Sequence, residues 1–341
     1  MTSTTTTTGA LEIDDLVVEF ATEDGTVHAV NGVSLRVQPG ETLAVVGESG
    51  SGKSVTALSI MGLIRKPGQI VSGTIQFDGC DLRTITERNY QQLRGGDLAM
   101  IFQDPLSSMN PSFRVGSQIA EAIRAHSDVS KDDAWARAIE LLAQVGIPQP
   151  EQRARDYPHQ FSGGMRQRAM IAMAMANAPK LLIADEPTTA LDVTIQAQVL
   201  EVLKAAQRET DAAMVLITHD LGIVAGLADR VVVMYAGRVV EEGTLDEIFY
   251  DPRHPYTIGL LGSIPRLGGE RGQRLRTIPG TPPGLFSLAA GCAFAPRCPY
   301  VIDRCGVERP DLLHVDNGGP RRSACFRIEE LPELRGGEAP S

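Results

Sequence analysis

Eight consecutive residues, Gly47-Glu48-Ser49-Gly50-Ser51-Gly52-Lys53-Ser54, have the types and spacing to hold phosphate. They satisfy the pattern G-x4-G-K-[ST] in full, after an apolar segment and before a helical one, which is the context that pattern requires. Gly47, Gly50 and Gly52 allow backbone N–H groups to turn inward around phosphate oxygens, with Ser49 and Ser51 between them, and the start of the helix adds a favourable field. Lys53 supplies a point charge for β- and γ-phosphates, and the Ser54 hydroxyl a ligand for Mg²⁺. An ordinary glycine-rich turn would not be expected to carry the whole pattern in that setting.

A second chemical feature is the acid pair of Leu181-Leu-Ile-Ala-Asp185-Glu186. Functional groups of a parallel sheet gather at the carboxyl ends of its strands. Asp185 is then expected to hold Mg²⁺ through water, and Glu186 to orient or deprotonate an attacking water. Alone, two adjacent acids would read as a solvated loop; the phosphate loop upstream makes the catalytic reading the better one.

The elements that must position these groups are legible in part. Leu11–Ile13, Leu16–Phe20 and Val33–Val37 alternate as strands do, and Thr42–Val46 reads as a strand buried on both faces. Helical spacing runs over Val55–Ile64, over Val115–Val145 with a break near Ser127–Ser130, over Arg166–Ala176 and over Ile195–Arg208. Gly73–Asp78 leads as a strand into an Asp-Gly turn; Leu181–Ala184 and Ala213–Ile217 read as strands, and Val231–Tyr235 with Arg238–Glu241 as a hairpin. The expected fold is α/β, and a resemblance carried by the residues below implies a doubly wound ATPase core with a small antiparallel β subdomain, a helical subdomain at about 104–165 and a cysteine-rich C-terminal extension.

Phe161-Ser162-Gly163-Gly164-Met165 resembles the signature of ABC-type ATPases, usually written LSGGQ, and it lies just upstream of the acid-bearing strand. Ser162, Gly163 and Gly164 at a helix start form an anion nest, and the resemblance implies that they serve ATP bound by a partner subunit. Met165 replaces the usual glutamine and has no N–H to donate. Other stations of the family follow in order: Gln103 looks like the glutamine that touches Mg²⁺ and faces the membrane subunits, Asp192 in Ala190-Leu191-Asp192 like the D-loop acid, and His219 like the switch histidine near the γ-phosphate. Phe20 stands where an aromatic stacks on adenine, with His28 as its rival. The resemblance covers about residues 11–250 and implies catalytic roles for Glu186, His219 and Gln103.

Gln103-Asp-Pro-Leu-Ser-Ser-Met-Asn-Pro-Ser112, Arg253-His-Pro-Tyr-Thr257 and Pro279-Gly-Thr-Pro-Pro283 resemble the oligopeptide, dipeptide and nickel importer branch. That branch implies a peptide-import ATPase, with nickel or oligosaccharide as other cargoes. Its partners would be an identical or paralogous ATPase, two membrane-spanning permeases and an extracytoplasmic solute-binding protein. Cys292, Cys298, Cys305 and Cys325 complete the resemblance. Four thiolates suit a 4Fe–4S cluster or Zn²⁺; their wide spacing and the branch favour the cluster, with free or disulfide-linked cysteines as the plain alternative. The cluster is expected to be structural, because it lies far in sequence from the ATP residues.

Composition bounds the rest. The chain has 341 residues and a formal net charge of −10, which disfavours nonspecific nucleic-acid binding. No apolar run approaches the roughly 20 residues that cross a bilayer, and the threonine-rich start lacks the pattern of a secretory signal. A peripheral position on the cytoplasmic face of a membrane is expected. The domains expected are a disordered tail at 1–10, the nucleotide-binding domain at 11–252, the C-terminal extension at 253–330 and a flexible tail at 331–341. A DNA-repair ATPase would carry a long coiled-coil insertion, a translation factor two ATPase copies, and a silent regulatory module would lack Glu186 or His219; none of these departures is present. An exporter motor would not be expected to carry the importer-branch segments.

Overall fold

The computed structural model describes residues 10–104, 108–189, 191–264, 278–284, 286, 290–315 and 319–336. The threonine-rich start, residues 105–107 of the segment after Gln103, Ala190 and most of 265–291 lie outside the described residues.

The alternating N-terminal residues form one hairpin of two long strands, β1 (Leu11–Thr22) and β2 (Gly25–Val37), where shorter separate strands were expected. The register shifts between Ile13 and Leu16, with Asp15 in the left-handed region (φ 47°). This bulge carries the non-alternating Asp14-Asp15 pair without ending the strand. After β3 (Thr42–Val46), strands β4 (Gly68–Phe77) and β5 (Cys80–Asp81) complete an antiparallel sheet in the order β2-β1-β4-β5.

The larger sheet uses β3 together with β6 (Leu98–Ile101), β7 (Leu181–Asp185), β8 (Ala213–Thr218), β9 (Arg230–Tyr235), β10 (Arg238–Thr244), β11 (Leu313–His314) and β12 (Arg322–Ser323). Among the described residues its order is β11-β12-β10-β9-β3-β8-β7-β6. From β9 to β6 the strands are parallel; β10, β12 and β11 join antiparallel. Every residue of β3, β7 and β8 is buried, which explains their unbroken apolar runs. Each buried Val, Leu or Ile contributes roughly 1.5–3 kcal/mol. The short strand β6 and the helix Glu87–Leu93 were not anticipated from periodicity.

One core cluster joins β1, β2 and β4 to the helix Lys53–Ile60 and to one face of the large sheet. A second joins the sheet's other face to the helices Val115–His126, Lys131–Gln144 and Gly163–Ala174. The expected break near Ser127–Ser130 is present: Ser130 caps the second of these helices, its hydroxyl accepting from the Asp133 N–H at 3.1 Å.

A third cluster corrects the expectation of a C-terminal appendage. Phe294 packs with Tyr235 and Tyr256 beside Ala44, Val46 and Val233 of the central strands. Strand β12 pairs with β10 through Glu241 and Glu242, so this segment extends the ATPase sheet instead of hanging from it. Where a flexible tail was expected from 331, the helix Leu331–Gly336 begins with a fully buried leucine.

Candidate active site

The turn from β3 into the helix Lys53–Ile60 requires Gly52. Its φ is 101°, and a Cβ there would stand 2.5 Å from the Ala29 carbonyl oxygen of β2. Lys53 is buried, and its ammonium donates to the carbonyls of Gly47 (2.7 Å) and Glu48 (2.9 Å) and more weakly to Ser51 Oγ (3.4 Å). Burial lowers its pKa, opposed by the charges of Glu186, Asp185 and Glu48. The β7 terminus reaches this loop directly: Ser54 Oγ donates to Asp185 Oδ1 at 3.1 Å. Burial raises the Asp185 pKa and the nearby Glu186 charge adds to it, against the Ser54 hydrogen bond and Lys53.

Glu186 follows β7 in the left-handed region (φ 47°), a strained conformation for this residue type. Its amide donates to the Ile217 carbonyl at 2.9 Å, which ties the turn to β8. Its carboxylate is a meeting point. Oε2 accepts from Gln103 Nε2 (2.9 Å) and Thr189 Oγ1 (2.8 Å), and Oε1 lies 3.1 Å from His219 Nδ1. Burial pushes its pKa up, but hydrogen bonds from Thr189 and His219 and the charges of His219 and Lys53 outweigh that, and the net shift is downward. The carboxylate therefore stays ionised, as an acceptor of a water proton must. Thr189 was missed by sequence reasoning; a hydroxyl three residues beyond the acid was its only signal.

Ser162 begins the helix Gly163–Ala174, its hydroxyl accepting from the Met165 N–H at 3.3 Å. Gly164 lies against the helix Val193–Thr210: a Cβ there would stand 2.5 Å from Ile195 Cγ2. Asp192 caps that second helix by accepting from the Ile195 N–H at 3.0 Å. Among the described residues no hydrogen bond or ion pair joins Ser162, Gly163 or Gly164 to the phosphate loop. Phe20 is half-buried against Ile64 and Gly68, while the His28–Ala29 backbone approaches Gly237, and Ala29 also approaches Gly52. His28 itself pairs with Glu19 at 3.0 Å.

The residues around Mg²⁺ fit a hard cation that keeps much of its water and takes one carboxylate, a hydroxyl and phosphate oxygens: Ser54 and Asp185 already meet. The four-cysteine site is different. Burial pushes Cys298 up to about 12 and Cys325 up to about 11, with smaller contributions from neighbouring cysteines, and it raises Cys292. The thiols therefore share one region. Yet among the described residues no group of three or more His, Cys, Asp or Glu is placed to hold a metal ion. Cys298 and Cys325 each accept a hydrogen bond from the amide two residues on, Tyr300 and Arg327, both at 3.4 Å, which ties each sulfur to its own turn. The placement of the four thiols thus does not support the 4Fe–4S or Zn²⁺ site expected of them.

Comparison with known proteins adds family evidence. Residues 30–189 match the family model described as ABC transporter, and residues 240–305 that of the oligopeptide/dipeptide transporter C-terminal region. The chain is 54% identical to the oligopeptide transport ATP-binding protein OppD of Bacillus subtilis over 311 residues, which cover 91% of this chain and 87% of that protein. It is 50% identical to the OppD of Salmonella typhimurium over 322 residues, covering 94% and 95% of the two chains. A dimeric ATP-binding cassette solved in a post-hydrolysis state with ADP and phosphate shares the fold, with a TM-score of 0.63 at 24% identity over 69% of this chain and 98% of that one.

Proposed function

The chain belongs to the ABC transporter family, in its oligopeptide-transport branch, and on that premise we propose how its residues drive import. It is an ATPase subunit that energises the uptake of peptides, and ATP with Mg²⁺ are its cofactors. The observation that carries the catalytic reading is the convergence of Gln103, Thr189 and His219 on the ionised Glu186 carboxylate, one residue beyond the Ser54–Asp185 contact.

In this reading Gly47, Ser49, Gly50, Ser51 and Gly52 cradle the phosphates, and Lys53 neutralises the charge that spreads over the γ-phosphoryl oxygens. Ser54, Gln103 and Asp185 would hold Mg²⁺, which would supply positive charge to offset that of the phosphates. Glu186 accepts a proton from the attacking water. His219 and Gln103 keep that carboxylate aimed, and Phe20 or His28 covers the adenine. Ser162, Gly163, Gly164 and Asp192 act across a dimer interface on the ATP of the second subunit. Closing on ATP and reopening after hydrolysis is a gating cycle that two permease subunits would follow.

The second ATPase is identical or paralogous, an extracytoplasmic protein delivers the solute, and the chain sits peripherally on the cytoplasmic face. Among the described residues no helix is long and apolar enough to cross a membrane. The domain limits proposed are 11–252 for the nucleotide-binding domain, with helices at about 104–165, and 253–330 for the C-terminal region. The cysteines are read as ligands of a 4Fe–4S cluster, with Zn²⁺ as the alternative. What supports that reading is that Cys292, Cys298, Cys305 and Cys325 lie near enough to influence one another's ionisation.

The test is peptide uptake into vesicles holding the whole transporter with E186Q in this subunit. ATP should still bind, while uptake and phosphate release stop; continued uptake would overturn the assignment.

A further inference from the structure

Arg297 lies in the C-terminal segment, 249 residues from the phosphate loop in sequence, yet its guanidinium grips that loop. Nη1 and Nη2 donate to the two carboxylate oxygens of Glu48 at 2.6 and 2.9 Å, a two-pronged contact with both hydrogen bonds charge-assisted. The arginine side chain is only 5% exposed. It is itself fixed, with Nε donating to the Pro279 carbonyl at 2.8 Å and Nη1 lying 3.3 Å from the Tyr235 hydroxyl. Glu48 is held at its other end too: its amide donates to the Tyr256 hydroxyl at 2.8 Å. Its carbonyl accepts from Lys53 Nζ at 2.9 Å.

Every polar group of Glu48 is thus committed. Its amide is turned toward Tyr256 and its carboxylate toward Arg297, while its carbonyl faces Lys53. The orientation of this peptide decides which way the loop's next amides face. Those amides are the phosphate ligands, so the anchor belongs to the binding step and not to the chemistry at Glu186. Removing Arg297 leaves the half-buried Glu48 carboxylate without the charge that balances it. Without Arg297, the Glu48 carboxylate would be released within reach of Lys53 and would compete with phosphate for it.

We propose that Arg297 is a positioning residue for ATP: through Glu48 it sets the phosphate loop, so that nucleotide affinity depends on the seating of the cysteine-bearing C-terminal segment. The inference rests on the ATPase reading above. It also links a segment far off in sequence to the phosphate loop.

The experiment uses the full chain. ADP binding is measured by calorimetry, and KM and kcat for Mg·ATP by phosphate release, for wild type, R297A, R297K, E48A and the double variant R297A/E48A. R297A should raise the ADP Kd and the ATP KM by about tenfold with kcat little changed, because the lost contact orders the ground-state site. R297K, with the charge but not the fork, should recover part of the affinity. R297A/E48A should bind better than R297A alone, since the released carboxylate is gone. A fall in melting temperature with unchanged Kd and KM would mark Arg297 as merely structural and overturn the proposal. E48A carries the test if R297A does not fold: unchanged ADP affinity in E48A would overturn it equally. A wild-type chain that binds no nucleotide would instead sink the ATPase reading itself.

Discussion

Glu186 and His219 meet at the ends of neighbouring parallel strands, with Glu186 Oε1 and His219 Nδ1 3.1 Å apart. The adjacency of β7 and β8 brings together side chains 33 residues apart in sequence. The contact ties the carboxylate to a second element, so movement at the end of β8 is felt at Glu186.

Thr189 offers a test of how rigidly that carboxylate must be held. Its hydroxyl donates to Glu186 Oε2 at 2.8 Å from within the same turn. T189V keeps the volume and removes the donor. A hydrogen bond to an ionised group is worth about 1.5–3 kcal/mol, so kcat should fall about tenfold to a hundredfold with KM for ATP unchanged. Steady-state phosphate release measures both. An unchanged kcat would show that Gln103 and His219 suffice.

Gly164 is constrained by Ile195. Adding a methyl group places a carbon 2.5 Å from Ile195 Cγ2, and the helices Gly163–Ala174 and Val193–Thr210 must part. Overpacking of this kind costs about 1–3 kcal/mol, so G164A should melt earlier than wild type. It should also lose ATP-driven dimer formation in an E186Q background, read by light scattering, while a single chain still binds ADP. Dimers of normal stability would argue against the cross-subunit role.

The stability of the chain should carry a pH signature from Glu241. Burial raises its pKa from 4.5 to about 7, although the amides of Arg253 and His254 and the charge of Arg321 favour ionisation. Below about pH 4.5 both folded and unfolded states hold the proton. As pH rises toward about 7 the unfolded state releases it first, so Glu241 subtracts stability across that window. His254 acts oppositely: burial lowers its pKa from 6.5 to about 3, so its contribution is lost as pH falls. Comparing wild type with E241Q isolates the first effect. Wild type should gain on E241Q as pH drops from 7.5 to 5 in thermal melts, and a constant difference would contradict the buried protonated acid.

The cysteine proposal is checked by purifying the chain without oxygen and measuring iron, sulfide, zinc and the visible spectrum. A broad absorption with about four irons per chain is expected for the cluster. Colourless protein with or without zinc would remove it, and the ATPase assignment would stand.

The sequence made Lys53, Asp185, Glu186 and His219 legible because their chemistry is written in short local motifs beside apolar strands. Gln103 was picked out from a local motif too, and the structure brings its side chain to Glu186. Thr189 was within reach, since its distance from Glu186 is local. The Arg297–Glu48 pair was not: no periodicity links residues this far apart, and an arginine between two prolines and a cysteine has no distinguishing pattern. Strands β11 and β12 escaped because two residues cannot display alternation. The single long strand β1 was split in reading because the Asp14-Asp15 bulge breaks the period that identifies a strand.

The pairing of β12 with β10 has a consequence for how the molecule tolerates cutting. A strand without a neighbour presents a row of free amides and carbonyls, a template on which other chains can assemble. Ending the chain at residue 252 would uncover the β10 edge and lay open Tyr235, which Tyr256 and Phe294 cover. The motor and its C-terminal segment are therefore not modules to be exchanged between relatives at that point. A chain cut there would aggregate through the bared edge.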